Sequence, residues 1–133
     1  SPDAATGAQL AHALVRSGRL DQALALLSGR HSSRLGVDAF AIVEKSLFDA
    51  GRFAEAAQVG ELGFAHHPDP TLAYNAACSF ARAGRPTEAV AWLERAIAAG
   101  YRDPVQMEAD PDLDSLRGVQ EYRTLRERLR APG

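Results

Sequence analysis

Three glycines stand on one ruler in this chain, and each opens the same short phrase: Gly18-Arg19-Leu20, Gly51-Arg52-Phe53 and Gly84-Arg85-Pro86, 33 residues apart. A fixed period in the low thirties is the signature of stacked two-helix units, each too small to bury its apolar face without a neighbour. The chain is therefore a repeat protein. What such a chain offers first is an extended surface for another molecule.

Aligned on the glycines, the residues fall into helical columns. Upstream stand Leu10, Ala11 and Leu14, then Val43, Glu44 and Leu47, then Ala76, Ala77 and Phe80. Downstream stand Ala23 with Leu27, Ala56 with Gly60, and Ala89 with Leu93. Apolar stripes of period 3.6, such as Ala89, Val90, Leu93, Ala96 and Ile97, predict amphipathic helices on both sides of each glycine. Ala23, Ala56 and Ala89 are expected where the two helices of a unit cross, since helix axes approach to about 8–10 Å only over small residues. The glycines are expected to close the first helix in a left-handed conformation that carries no Cβ penalty. Six helices follow, in units over residues 4–36, 37–69 and 70–103, with a degenerate closing segment over 104–130, all within one domain spanning 1–133.

These columns resemble the tetratricopeptide repeat. That pattern sets a large residue, then Leu and a small residue, then an aromatic on helix A, and Ala followed by an aromatic on helix B. Pro68 falls where that family ends a unit. The large opening residue is Phe40 in the second unit but only Gly7 and Ala73 in the first and third. The ankyrin repeat shares the period, but its Thr-Pro-Leu-His turn is absent: Pro70-Thr71-Leu72 has the first two residues reversed. The stretch from Tyr74 to Leu129 is similar to the terminal tetratricopeptide units of bacterial multidomain proteins. Tyr74, Asn75, Ala77 and Cys78 match the opening of the last repeat, and Asp110-Pro111-Asp112-Leu113 with Leu116-Arg117 matches the approach to a closing helix. The resemblance implies an all-α, right-handed α-solenoid of three helical hairpins plus a C-terminal capping helix. It also implies a non-enzymatic protein–protein interaction module.

The irregular places carry their own expectations. Turn formers from Ser28 to Gly36 predict an early stop near Gly29 and a loop to unit two, whose first helix Asp38 is expected to cap. Pro104 and Pro111 are expected to interrupt what would be a fourth helix A. The closing helix, over 119–130, sets Val119, Tyr122, Leu125 and Leu129 on one face and arginines on the other, as a cap on the last unit requires. Trp92 is expected to pack between units.

Composition excludes several functions. No run of about eighteen apolar residues exists, so membrane insertion is not expected. Net charge is -2 and the sequence pI is about 6.1, which opposes the basic stripe of a nucleic-acid reader. No signal peptide is visible, and the opening Ser1-Pro2-Asp3 fits a processed chain or an excised domain. Cys78 is the only cysteine, so no internal disulfide can form and a reducing compartment, the cytoplasm or a cytoplasmic domain, is expected. Lys45 is the sole lysine among many arginines, which fits a GC-rich, bacterial genome.

No catalytic constellation is complete. His12, His31, His66 and His67 lack metal spacing, and His66-His67 read as a solvated turn. Cys78 has no neighbouring base, the aspartates from Asp110 to Asp114 read as caps, and no glycine-rich phosphate loop is present. No metal, cofactor or enzyme activity is expected.

The family resemblance implies that helix A of each unit lines a concave groove. Unit one would contribute His12 and Arg16, unit two Ile42, Lys45 and Phe48, and unit three Tyr74, Asn75, Cys78 and Arg82. Positions that grip a chaperone's carboxylate tail in that family here hold Ala8, His12, Ile42, Thr71 and Asn75, so that cargo is excluded. The residues read as an apolar floor of Ile42, Phe48 and Tyr74 flanked by cations, suited to a peptide or helix with acidic flanks. The expected partner is another protein, with the chain a monomer or weak homo-oligomer. A structural spacer or self-association arm, and more distantly an RNA-binding helical repeat, are the alternatives.

Overall fold

The computed structural model describes residues 4–30 and 32–131, so expectations for the first three residues and for His31 lie outside it. Three helical hairpins follow one another: α1 (Ala4–Arg16) with α2 (Leu20–Ser28), α3 (Val37–Asp49) with α4 (Phe53–His66), and α5 (Pro70–Arg82) with α6 (Pro86–Ala98). The closing segment comprises α7 (Pro104–Ala109), a 3₁₀ turn (Pro111–Leu116) and α8 (Gln120–Arg130). No strand occurs among the described residues. Each helix A also packs on the next, α1 on α3 and α3 on α5, so the fold is an all-α helical-repeat solenoid.

Each hairpin turns on its glycine. Gly18, Gly51 and Gly84 have φ of 75, 78 and 77°. Gly51 N donates to Phe48 O and Arg52 N to Leu47 O, both at 2.9 Å, and the other two turns repeat the pattern. These bonds satisfy carbonyls that a helix end leaves orphaned. Arg52 then pairs with Glu55 of its own unit at 2.6 Å and with Asp21 of the preceding unit at 2.5 Å. Ala23, Ala56 and Ala89 are fully buried where small residues were expected.

The irregular first unit is repaired by its connector. Helix α2 ends at Ser28, and a 3₁₀ turn, Ser32–Arg34, leads to Leu35, which is buried. A Cβ on Gly7 would overlap Leu35 Cδ2, so the connector supplies the bulk that unit one lacks at its opening position. The expected Asp38 cap does not form. Helix α3 starts on Gly36 without a side-chain cap, and Asp38 lies exposed inside the first turn, where a negative charge still complements the helix dipole. Asp69 does cap α5, its Oδ1 accepting from Thr71 N at 2.8 Å.

The fourth helix A position is interrupted before Pro111 as expected, and both prolines begin the elements that replace it. Each sits at the start of a short helix behind a capping aspartate, Asp103 and Asp110, at a position whose N–H has no intrahelical partner to lose. In α8, Tyr122 and Leu125 are buried as expected of a cap. Arg126 and Arg130 turn to Glu108 of α7 instead of lining a free cationic face. Trp92 meets Phe64 of α4 edge-on at 5.3 Å, between units two and three.

Candidate functional site

Helices α3 and α5 are the A helices of adjacent units, and the 3₁₀ turn of the closing segment packs on α5. These three elements enclose a pocket of ≈ 440 Å³. Helix α3 contributes Lys45, Phe48 and Asp49, α5 contributes Tyr74, Asn75 and Cys78, and the closing segment contributes Gln106, Asp110 and Asp112. Of the residues singled out in the sequence, the pocket brings together Lys45, Phe48, Tyr74, Asn75 and Cys78. It does not reach the others. His12 and Arg16 are exposed on α1, Ile42 packs with the apolar cluster of units one and two, and Arg82 lies beyond the pocket lining.

Tyr74 and Cys78 are engaged by the chain's own closing segment. Tyr74 Oη donates to Asp110 Oδ2 at 2.7 Å, and Cys78 Sγ lies 3.7 Å from the same oxygen. The other oxygen, Oδ1, caps Asp112 N at 3.0 Å. Tyr74 also stacks on Tyr101 with ring centroids 4.7 Å apart. Burial, reinforced by the neighbouring carboxylates, pushes the Cys78 thiol and the Tyr74 hydroxyl well up, and burial pushes Tyr101 up to about 12. All three therefore stay protonated donors.

The cations expected to flank the groove already have partners. Lys45 Nζ sits 2.8 Å from Asp49, one turn along α3. Arg82 reaches Asp112 at 2.8 Å, and its guanidinium lies over Phe53 at 4.7 Å and Phe48 at 5.7 Å.

Glu44, also part of the pocket lining, is 1% exposed, and neither carboxylate oxygen completes a hydrogen bond. Burial pushes its pKa well above the ordinary carboxylate range, and the facing amide of Asn75 only partly opposes that. The room for it comes from α4. A Cβ on Gly60 would overlap Glu44 Oε2 and lie 2.8 Å from Ala76 Cβ. Units one and three pair Ala11 with Leu27 and Ala77 with Leu93; unit two inverts the sizes, pairing Glu44 with Gly60. That inversion was visible in the columns, and it is the signal that singles out Glu44.

Asp110 and Asp112 also escaped the sequence reading as pocket residues, because their nearness to Cys78 depends on how the closing segment folds back. The three place ligand atoms within 4.8 Å of one another. Their polar groups are already matched: the thiol donates to Asp110, and Asp112 pairs with Arg82. His66 and His67 do not form the solvated turn expected of them. Both are half-buried against Phe40, with centroids 5.9 and 6.1 Å away. His67 Nε2 donates to Leu35 O at 2.6 Å and His66 Nε2 bonds Ser32 Oγ at 3.3 Å, latching the connector of unit one.

Among known proteins, the family model of the tetratricopeptide repeat matches residues 4–28 and 70–95. A curated chloroplastic protein of Arabidopsis thaliana is 30% identical over a 76-residue alignment that covers 54% of this chain and 23% of that relative. The match thus spans less than a quarter of the relative's length. No solved structure gives a significant match.

Proposed function

This chain belongs to the tetratricopeptide repeat family, and on that premise we propose that it is a non-enzymatic interaction module that holds a peptide or helix of a partner protein between α3 and α5. Tetratricopeptide repeats generally mediate protein–protein interaction and are generally not enzymes. The observation that carries the reading is the pocket. An aromatic side chain, Phe48, and an amide, Asn75, share a concavity of ≈ 440 Å³, within the usual range for ligand sites. Asn75 suits a ligand's backbone, and Phe48 suits an apolar anchor. The test is affinity capture with the intact chain beside Phe48→Ala/Asn75→Ala, with circular dichroism confirming the fold of both. Partners lost with the double variant support the groove; a full set of partners retained refutes it.

One observation favours a second reading as a self-association arm or spacer. Leu10 on α1 is 44% exposed, beside the partly covered Leu14 and Val15. Sedimentation over a concentration series, repeated with Leu10→Gln, separates the two. No helix among the described residues is long and apolar enough to cross a membrane. The free thiol of Cys78 supports a reducing compartment, with the cytoplasm our proposal.

A further inference from the structure

Resting on that groove reading, we propose that the occupant's anchor is a basic side chain: a lysine or arginine of the partner enters the α3–α5 pocket and supplies the positive charge its carboxylates lack.

The charge inventory of the lining is lopsided. Asp49, Asp110 and Asp112 face one lining cation, Lys45, and Glu44 adds a fourth carboxyl whose burial favours its neutral form. Lys45 is committed to Asp49, and Arg82, from outside the lining, is committed to Asp112. Two carboxyls remain without a cation. Glu44 has no hydrogen bond at either oxygen, and Asp110 receives only neutral donors: the Tyr74 hydroxyl, the Cys78 thiol and the backbone N–H of Asp112. A buried carboxyl without a partner is costly, and an incoming cation is the group that relieves it.

The aromatic surface agrees with the charge. Phe48 reaches the pocket and already carries the Arg82 guanidinium over its ring at 5.7 Å, the kind of cation such a ring face favours. An acidic occupant would meet like charge, a juxtaposition that interfaces avoid. This reverses the preference for acidic flanks that the linear sequence suggests. That reading counted Lys45 and Arg82 as free cations, whereas in the fold both are neutralised within the chain.

The test uses short random peptides displayed on phage, selected on the intact chain and then titrated against the isotope-labelled protein by NMR. Enriched peptides are expected to share a lysine or arginine, to shift the amides of Lys45, Phe48 and Asn75, and to bind about tenfold more weakly when that residue becomes glutamine. Two protein variants report the pocket side. Glu44→Gln keeps the shape and removes the carboxyl, and Asp49→Asn, at an exposed position, frees Lys45 to repel a cation. Each should weaken binding several-fold, with unchanged circular dichroism. Peptides that shift the pocket amides without a basic residue, or that ignore both variants, overturn the inference and leave the groove reading standing. Peptides that shift only amides outside α3, α5 and the closing segment, or a selection that enriches nothing, overturn both.

Discussion

Replacing Gly60 with alanine should destabilise the fold, although the same change in an unconstrained helix interior stabilises it by about 1 kcal/mol. The opposing contribution comes from the contact surface. The new Cβ would overlap Glu44 Oε2 and lie 2.8 Å from Ala76 Cβ and 3.2 Å from Ala76 Cα. The Glu44 head can swing aside, but Ala76 moves only with α5. Overpacking a buried helix contact costs about 1–3 kcal/mol, so after the propensity gain the net loss is up to about 2 kcal/mol. Urea unfolding followed by circular dichroism measures it, as a lower midpoint with an unchanged slope. The same substitution in a Glu44→Ala background has one obstacle fewer. Its cost should shrink by at least about 0.5 kcal/mol, the scale at which touching residues couple, without vanishing, because Ala76 remains. If Gly60→Ala stabilised the chain, or cost the same in both backgrounds, the interlock of Glu44 with Gly60 would be refuted.

Glu44 also sets a pH dependence. Its folded pKa is raised by burial, so its contribution is whole below the unfolded value of about 4.3 and declines as pH climbs towards the folded value, by about 1.4 kcal/mol per pH unit within that window. Glu44→Gln lacks this decline, so its stability advantage over the parent should widen from acid to neutral pH; a constant gap in urea midpoints would exclude the raised pKa. Tyr74→Phe removes the 2.7 Å bond to Asp110 and should cost about 1.5–3 kcal/mol, with faster hydrogen exchange across residues 104–116. Exchange that stays slow there would mean the closing segment is held by its other contacts, the Arg82–Asp112 pair and apolar packing among them. Ala56→Leu and Ala89→Leu should each cost about 1–3 kcal/mol, since both alanines are fully buried between helices, and denaturant midpoints equal to the parent's would show the helix B register to be wrong.

The repeat was legible because its determinants are local. Glycines that need positive φ, alanines at helix crossings and stripes of period 3.6 act within a few residues of themselves, and each appears in the fold where the columns placed it. The failures are non-local. Asp38 looked like a cap because its type suits one, yet Gly36 takes the position since the connector through Leu35 sets where α3 begins. Leu35 itself reads as loop, and only the vacancy over Gly7, 28 positions earlier, gives it a buried role. The groove suffered most. Tyr74, Cys78 and Arg82 carry the right residue types for an open surface, but their partners Asp110 and Asp112 lie more than two dozen positions away, and no periodicity announces that those two fold back.

The closing segment supplies one wall of the pocket between α3 and α5. Residues 104–116 stand where a fourth helix A belongs: they follow α6, pack on α5 and precede α8, which packs on α6 and α7 as a helix B would. A single straight helix here would present one continuous stripe to α5. The break at Asp110 does something else, because its extended backbone, with ψ of 112°, redirects the chain so that one carboxylate reaches Tyr74 and Cys78 and also caps the 3₁₀ turn. Arg117 fixes the bend from the far side, bonding Asp110 O at 2.9 Å and Tyr122 Oη at 3.0 Å. Stability and the proposed recognition thus meet on the same residues. The carboxylates that anchor the cap to unit three are also the ones that give the neighbouring pocket its negative wall. Truncating the chain before Asp103 should therefore do more than uncover apolar surface: it should convert a three-sided acidic pocket into an open groove in which Arg82 has lost Asp112 while Lys45 keeps Asp49.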